Sequence, residues 1–336
     1  MSLRRAVNRM DIRSVRFWLQ LVLFVVIMWG GSLFHWDWGN EVPTFSCPYV
    51  GESRVGTCFL FAFQHRINMP ADQIISFRGL GLVFMLLGFW GFLLLFNKAW
   101  CGFACPLGTI QDWLTRLRQR MGIKGHEYTE KNYNRLSKVK WVLLALLIVL
   151  PFMVSNSFFG VGKLSHDWGT PFCQICPSRV LLPIFNGDLE GLSLDFSSPT
   201  MLGLTFLGLV ITGGGLVGAF LRPRFLCHLC PMSAAQFVFS KASLFRLTKK
   251  GADCTRCGNC YQVCELGIRE IADDVQSKNI LKEDCILCLK CVSACPEEGC
   301  LSVKFGPWDI YTATEDGFFH RQQKQEEKWK NRDINS

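Results

Sequence analysis

The chain carries 17 cysteines in 336 residues, and their spacing decides what chemistry so many thiols can do. The densest stretch reads Cys254-x2-Cys257-x2-Cys260-x3-Cys264 and, twenty residues on, Cys285-x2-Cys288-x2-Cys291-x3-Cys295-Pro296. A Cys-x2-Cys-x2-Cys loop sets three thiolates around one cubane of iron and sulfide and directs the fourth Cys of its run to another, so two runs in tandem complete each other. By that rule Cys254, Cys257, Cys260 and Cys295 hold one [4Fe–4S] cluster, and Cys285, Cys288, Cys291 and Cys264 hold a second. Zinc would leave the third Cys of each loop without a use, and disulfides are disfavoured in a reducing cytoplasm. Glu265 stands where a proline commonly closes such a run, and Cys300 is left over as a small packing residue.

Two looser sets remain. Cys101, Cys105, Cys227 and Cys230 form a candidate inner metal site, with redox-active thiols, or turns in which Pro merely stops a helix, as the alternatives. Cys47, Cys58, Cys173 and Cys176 form a candidate outer set, either disulfides on an oxidising face or a further iron-binding tetrad. With the outer tetrad, 16 of the 17 cysteines fall into four sets. Electrons would then have stations at both faces of a membrane.

The elements that must position these thiols are mostly apolar. Hydrophobic residues make up 49% of the chain, with 28 Phe and 11 Trp, and the mean hydropathy is +0.21, yet the last third is polar. Spans are expected at Phe17 to Phe34, Gly79 to Phe96, Val139 to Gly160 (kinked at Pro151) and Thr200 to Phe220. Cations such as Arg4, Arg5, Arg9, Arg13 and Arg16 before the first span, Lys98 to Lys140 between the second and third, and Arg222 to Lys250 after the fourth place these segments and both termini in the cytoplasm. The first span is expected to be an uncleaved helix of a bacterial inner-membrane protein, because no small-x-small cleavage site follows it. The net charge of +9 is spread beside these spans and does not form a nucleic-acid recognition element.

The chain also repeats itself at offsets of roughly 125 to 130 residues. Asp37-Trp38-Gly39 recurs as Asp167-Trp168-Gly169, and Cys47-Pro48 with Ser53-Arg54-Val55 answers Cys176-Pro177-Ser178-Arg179-Val180. Cys101 through Cys105-Pro106 to Gln111 answers Cys227 through Cys230-Pro231 to Gln236. The expected fold is an all-α membrane bundle of four transmembrane helices, built as two parallel two-helix repeats, plus a small α+β 2[4Fe–4S] ferredoxin-like domain. The boundaries are a basic N-terminus over 1–16, the bundle over 17–240 (repeats 17–120 and 139–240), the ferredoxin-like domain over 241–310 and a polar tail over 311–336. No Cys-x-x-Cys-His occurs and no His lies within a span, which argues against haem. His35 and His166 read as interfacial residues, and a quinone site beside them would draw on Asp37, Asp167, Trp38 and Trp168. No nucleophile, general base or substrate pocket is legible, so the chemistry is that of the clusters.

The four spans, the inner Cys-Pro motifs at Cys101 to Pro106 and Cys227 to Pro231, and the double Cys run resemble the NapH-type ferredoxin-like membrane proteins, over about residues 15 to 305. That group is the quinol dehydrogenase membrane component of periplasmic nitrate reduction, with relatives in methylamine utilisation and in the regulator NosR. The resemblance implies quinol oxidation and delivery of electrons to an outer-side iron–sulfur or cytochrome c partner. Cys227-x2-Cys230 departs from the Cys-x3-Cys-Pro of the family pattern. The expected function is membrane-bound electron transfer between quinol and a partner oxidoreductase. Its rivals are a redox sensor or maturation factor for another metalloenzyme, and a structural anchor for a peripheral reductase.

Overall fold

The computed structural model describes residues 3–34, 58–157, 162–187, 192, 194–240 and 242–333. Three of its helices are long and apolar enough to cross a membrane: α2 (Ile12–Phe34, through its stretch to Gly30), α6 (Glu130–Ser155) and α8 (Pro199–Leu221). A shorter apolar helix, α4, covers Leu80–Phe96. Their outward faces carry Trp18, Val83, Phe84, Val142, Phe206 and Val210, all exposed. Apolar side chains left bare on several helices mark a lipid-facing surface. Helix α6 begins nine residues before the apolar stretch at Val139, where Glu130, Lys131, Arg135, Leu136 and Lys138 are good helix formers and carry the same helix on. Pro151 stays inside α6, where it removes one backbone N–H from the ladder.

Shorter helices complete each half. Helix α1 covers Leu3–Arg9, α3 covers Phe59–Ile67 and α5 covers Pro106–Arg120. In the second half α7 covers Pro177–Asn186 and α9 covers Pro231–Ser240. The packing crosses between the halves. Helix α3 joins α4, α6 and α9 in one core of Phe59, Leu60, Phe89, Leu93, Leu147 and Met232. Helix α7 joins α2 and α5 in the corresponding core of Phe24, Met28, Ile110, Leu181 and Leu182. Each short helix therefore seats on the other half's long helix.

The polar last third forms a three-stranded antiparallel sheet in the order β1 (Phe245–Lys249), β2 (Leu301–Phe305), β3 (Trp308–Thr312). The register pairs Leu247 with Val303 and Val303 with Tyr311, and these three side chains enter a core with Ile268, Ile280 and Val292. The two Cys runs lie between β1 and β2. Helix α10 (Glu315–Asp333) follows where the sequence suggested only a polar tail. It is held by Arg321, which donates to the carbonyls of Asn8 at 2.6 Å and Ser293 at 2.8 Å, and by the exposed Arg9–Asp316 ion pair.

Candidate functional site

The loops of the two Cys runs fold alike. Arg256 and Gly258 in the first, and Leu287 and Leu289 at the matching places in the second, all have positive φ, at 56°, 79°, 51° and 63°. Three of these four are not glycine, so the loops hold left-handed backbone that ordinary side chains disfavour. Alternating handedness turns successive N–H groups inward and makes an anion-binding concavity. One cavity is ringed by Cys254, Cys257, Cys260 and Cys295, with Cys300 at its edge. The other is ringed by Cys285, Cys288, Cys291 and Cys264. Each takes three cysteines from one run and the fourth from the other.

Four thiols to a ring, three of them from one Cys-x2-Cys-x2-Cys loop, are the donor set of a cluster rather than of a single ion. Burial pushes the Cys264 and Cys285 thiols up to about 12, so at neutral pH they give up their protons only to a bound metal. The Cys300 sulfur instead donates to the Lys250 carbonyl at 3.6 Å, as a packing residue can.

The ferredoxin module is fastened to the helices by buried charge. Arg16 of α2 pairs with Glu265 at 2.7 Å and with Asp112 of α5 at 2.6 Å, and donates to the Gly102 carbonyl at 2.9 Å. Arg224 holds both oxygens of Asp112 at 2.8 and 2.7 Å and donates to the Cys101 carbonyl at 2.9 Å. Burial alone would raise the Glu265 carboxyl, but the charges of Arg16 and Lys290 outweigh it and hold the group far below the usual carboxylate range. The residue in the proline's place is thus the module's tie to the helices.

On the other side Lys140 of α6 pairs with Asp284, the residue before Cys285, and with Glu283 at 2.6 Å. Lys98 donates to the Glu283 carbonyl and to Ser233 Oγ at 3.2 Å. The backbones meet at Gly102, where an added Cβ would lie 2.4 Å from the Ile286 carbonyl oxygen. Arg16, Lys98, Lys140 and Arg224, read from the sequence as cations flanking spans, are all buried. Sequence gave no sign of Asp112, Gly102 or Asp284. The one available signal was an arginine and a lysine set inside or against apolar runs, which need partners.

The looser cysteine sets divide unexpectedly. Cys101 and Cys227 pack against the module's core. The Cys101 sulfur donates to Gln236 Oε1 at 3.2 Å, and Gln111 Nε2 donates to the Cys227 sulfur at 3.6 Å. These two contacts are repeat equivalents, each running from one half to the other. Cys105 and Cys230 face away from the module, onto a cavity of about 320 Å³ that Cys58, Cys173 and Cys176 also line. Half of the inner set and the three described members of the outer set, expected at opposite faces, meet on one cavity. All sixteen described cysteines carry free thiols, while Cys47, His35, Asp37 and Trp38 lie outside the described residues. His166 is exposed, and Asp167 accepts from the Ser198 hydroxyl at 2.8 Å; neither lines the cavity.

Comparison with known proteins finds iron–sulfur domains along these segments. A 4Fe-4S binding domain model matches residues 77–124 and again 204–250, and a 4Fe-4S dicluster domain model matches 246–296. The doubled match falls on the two inner Cys-Pro motifs of the repeat. An uncharacterised protein of Methanocaldococcus jannaschii is 26% identical over 61% of this chain and 71% of its own length. The ferredoxin-type protein NapH of Haemophilus influenzae is 27% identical over 60% of this chain and 61% of its own length. The chain is related to the NapH-type ferredoxin-like proteins. The methylamine utilisation ferredoxin-type protein MauN of Methylorubrum extorquens, 27% identical, shares 52% of this chain and 49% of its own length. The span shared with NapH is thus under two thirds of that relative, and with MauN about half. No solved structure matches.

Proposed function

We propose that the chain is a membrane-bound iron–sulfur electron-transfer protein that takes electrons from quinol, or from a soluble donor, and passes them to a partner oxidoreductase. The observation that carries this reading is the exchange of the fourth Cys between the two thiol rings, the pattern of a two-cluster ferredoxin. Cys254, Cys257, Cys260 and Cys295 would hold one [4Fe–4S] cluster, and Cys285, Cys288, Cys291 and Cys264 the other. Bound clusters supply one-electron chemistry at potentials set by burial, charge and hydrogen bonds to sulfur. The chain's own residues do the rest. Its buried core keeps water from the second ring, and Lys290 and Arg16, meeting at Glu265 beside Cys264, bring positive charge to that ring's edge.

In this reading the protein lies in a bacterial cytoplasmic membrane with both termini inside. Residues 17–240 form a four-span bundle and 241–310 the cytoplasmic module. Helix α4, at 17 residues, is about 26 Å long, close to the 30 Å of a hydrocarbon core. Quinol is the donor suggested by the NapH-type relatives, and the acceptor is an outer-side iron–sulfur or cytochrome c protein. The name of a further relative, the regulatory protein NosR of Pseudomonas aeruginosa, 26% identical over 59% of this chain, favours a second reading as a redox sensor.

The test is anaerobic purification with iron and sulfide quantification and EPR, followed by reduction with a short-chain quinol. The module alone requires about eight irons per chain. Quinol-dependent reduction supports electron transfer, and its absence favours the sensor. Electron flux that survives Cys288→Ala leaves only a structural anchor.

A further inference from the structure

The 320 Å³ cavity is lined by five thiols and lies among the helices. Ile211, near the middle of α8, and Leu143, near the middle of α6, both line it. It is therefore level with the centre of two of the apolar helices. Four of its five cysteines occupy one structural position: Cys58, Cys105, Cys176 and Cys230 each immediately precede the first residue of α3, α5, α7 and α9. Their backbones agree closely, with φ/ψ of −58°/124°, −59°/116°, −73°/124° and −71°/115°. The carbonyl of each accepts the first hydrogen bond of its helix. Proline at the first position of α5, α7 and α9 fixes φ there and starts the helix at that point.

Four helix N-termini thus converge on one apolar space. Each carries roughly half a positive charge on N–H groups without intrahelical partners, about two charges in all. At α3, α5 and α7 the side chain turned to those groups is the thiol itself, with the N–H groups of Leu60 and Phe61 directed at Cys58, of Leu107 and Gly108 at Cys105, and of Ser178 and Arg179 at Cys176. Converging positive ends deep in an apolar bundle are favourable only opposite something anionic, as at the broken helices of membrane transporters. Four thiolates carrying iron and sulfide are anionic and supply that match.

We propose that this cavity is a third iron–sulfur site, with Cys58, Cys105, Cys176 and Cys230 as the ligands of one four-thiolate cluster held between the two halves of the helical domain. Cys58 and Cys176 lie outside both stretches of the 4Fe-4S binding domain match. All four line the one cavity; Cys58 is within electrostatic reach of Cys176 and Cys105, whereas Cys230 feels Cys101 and Cys227 ahead of Cys176 and Cys105. The other candidates are otherwise engaged. Cys101 and Cys227 are hydrogen-bonded to Gln236 and Gln111 beside the module. Cys173 lies inside a helical turn, not before one, and its sulfur accepts from Gln64 Nε2 at 3.3 Å. Each half contributes two ligands, one per short helix, so the site forms only when the halves assemble.

The full chain, purified anaerobically, provides the test through iron and acid-labile sulfide per chain and low-temperature EPR. The wild type is expected to hold about twelve irons, and Cys58→Ser with Cys176→Ser to lose about one third of them while the module's signals persist. Cys173→Ser, in the same wall, is expected to keep the full complement. A wild type with about eight irons overturns the proposal. So does a loss of iron caused by Cys101→Ser with Cys227→Ser and not by Cys58→Ser with Cys176→Ser, which would return the site to the four inner cysteines. Cys176→Asp covers the case of a double variant that does not fold, since a carboxylate can still ligate iron. It should alter the EPR signature of one cluster, and an unchanged spectrum overturns the proposal. Loss of the module's own clusters, tested by Cys288→Ala, removes different signals and bears only on the two-cluster reading.

Discussion

In the ferredoxin module three of the four thiols around each cavity come from a single seven-residue loop, Cys254 to Cys260 or Cys285 to Cys291. Around the deep cavity no two of Cys58, Cys105, Cys176 and Cys230 are closer than 47 residues in sequence. The module gathers thiols by bending local backbone into left-handed turns. The helical part gathers them by packing four helices that start on one cavity. A ligand lost from the module should therefore do local damage, whereas the deep cavity depends on contacts that hold the halves and the module together.

The contrast breaks first if Cys288→Ala disturbs the helices. It is expected to remove the second cluster outright, about four irons per chain, while the apolar helices keep their far-ultraviolet signal and the protein elutes unchanged in detergent. Next in size is Asp112→Ala, which strips two buried arginines of their common partner. Breaking a buried ion pair from one side costs about 3–5 kcal/mol, read as a lower unfolding temperature, and a shift of less than about 1 kcal/mol would show that the junction is not what joins the regions. Gly102→Ala puts a Cβ 2.4 Å from the Ile286 carbonyl oxygen. Forcing the two backbones apart should cost about 1–3 kcal/mol and hasten proteolytic release of the module, with the bundle intact.

A last expected effect concerns Lys98. Burial, aided by nearby Lys140, lowers its ammonium to about 8, below the unfolded value of about 10.4. The unfolded chain then binds more protons between these values, so the contribution of Lys98 to stability rises with pH across that window. It is lost as the pH falls through it. The limb should slope by up to about 1.4 kcal/mol per pH unit in unfolding curves between pH 8 and 10 and flatten in Lys98→Met.

The legibility of each region follows its locality. The module's loops were readable because Cys-x2-Cys-x2-Cys brings its own geometry, and Thr200 to Phe220 was readable as a span because hydropathy is a property of a window. The repeat was also visible, since Cys101 and Gln111 recur as Cys227 and Gln236 at offsets of 126 and 125 residues. Which way each thiol faces was not legible. Cys101 and Cys105 are one helical turn apart, yet the first packs on the module and the second lines the deep cavity. Sequence shows the turn; only the arrangement of neighbouring helices sets its direction. The same holds for Glu265, readable as a departure from proline but not as the partner of an arginine 249 positions away.

Lys140 has its carboxylate partners not in the helices but in Glu283 and Asp284 of the module, and Arg16 relies on Glu265 as well as Asp112. This sets an order of biogenesis. Until the last third of the chain has been made and docked, α2 and α6 carry cations that lack their full complement of partners, and a charge among apolar helices is costly. The polar module thus completes the charge pairing of the apolar helices.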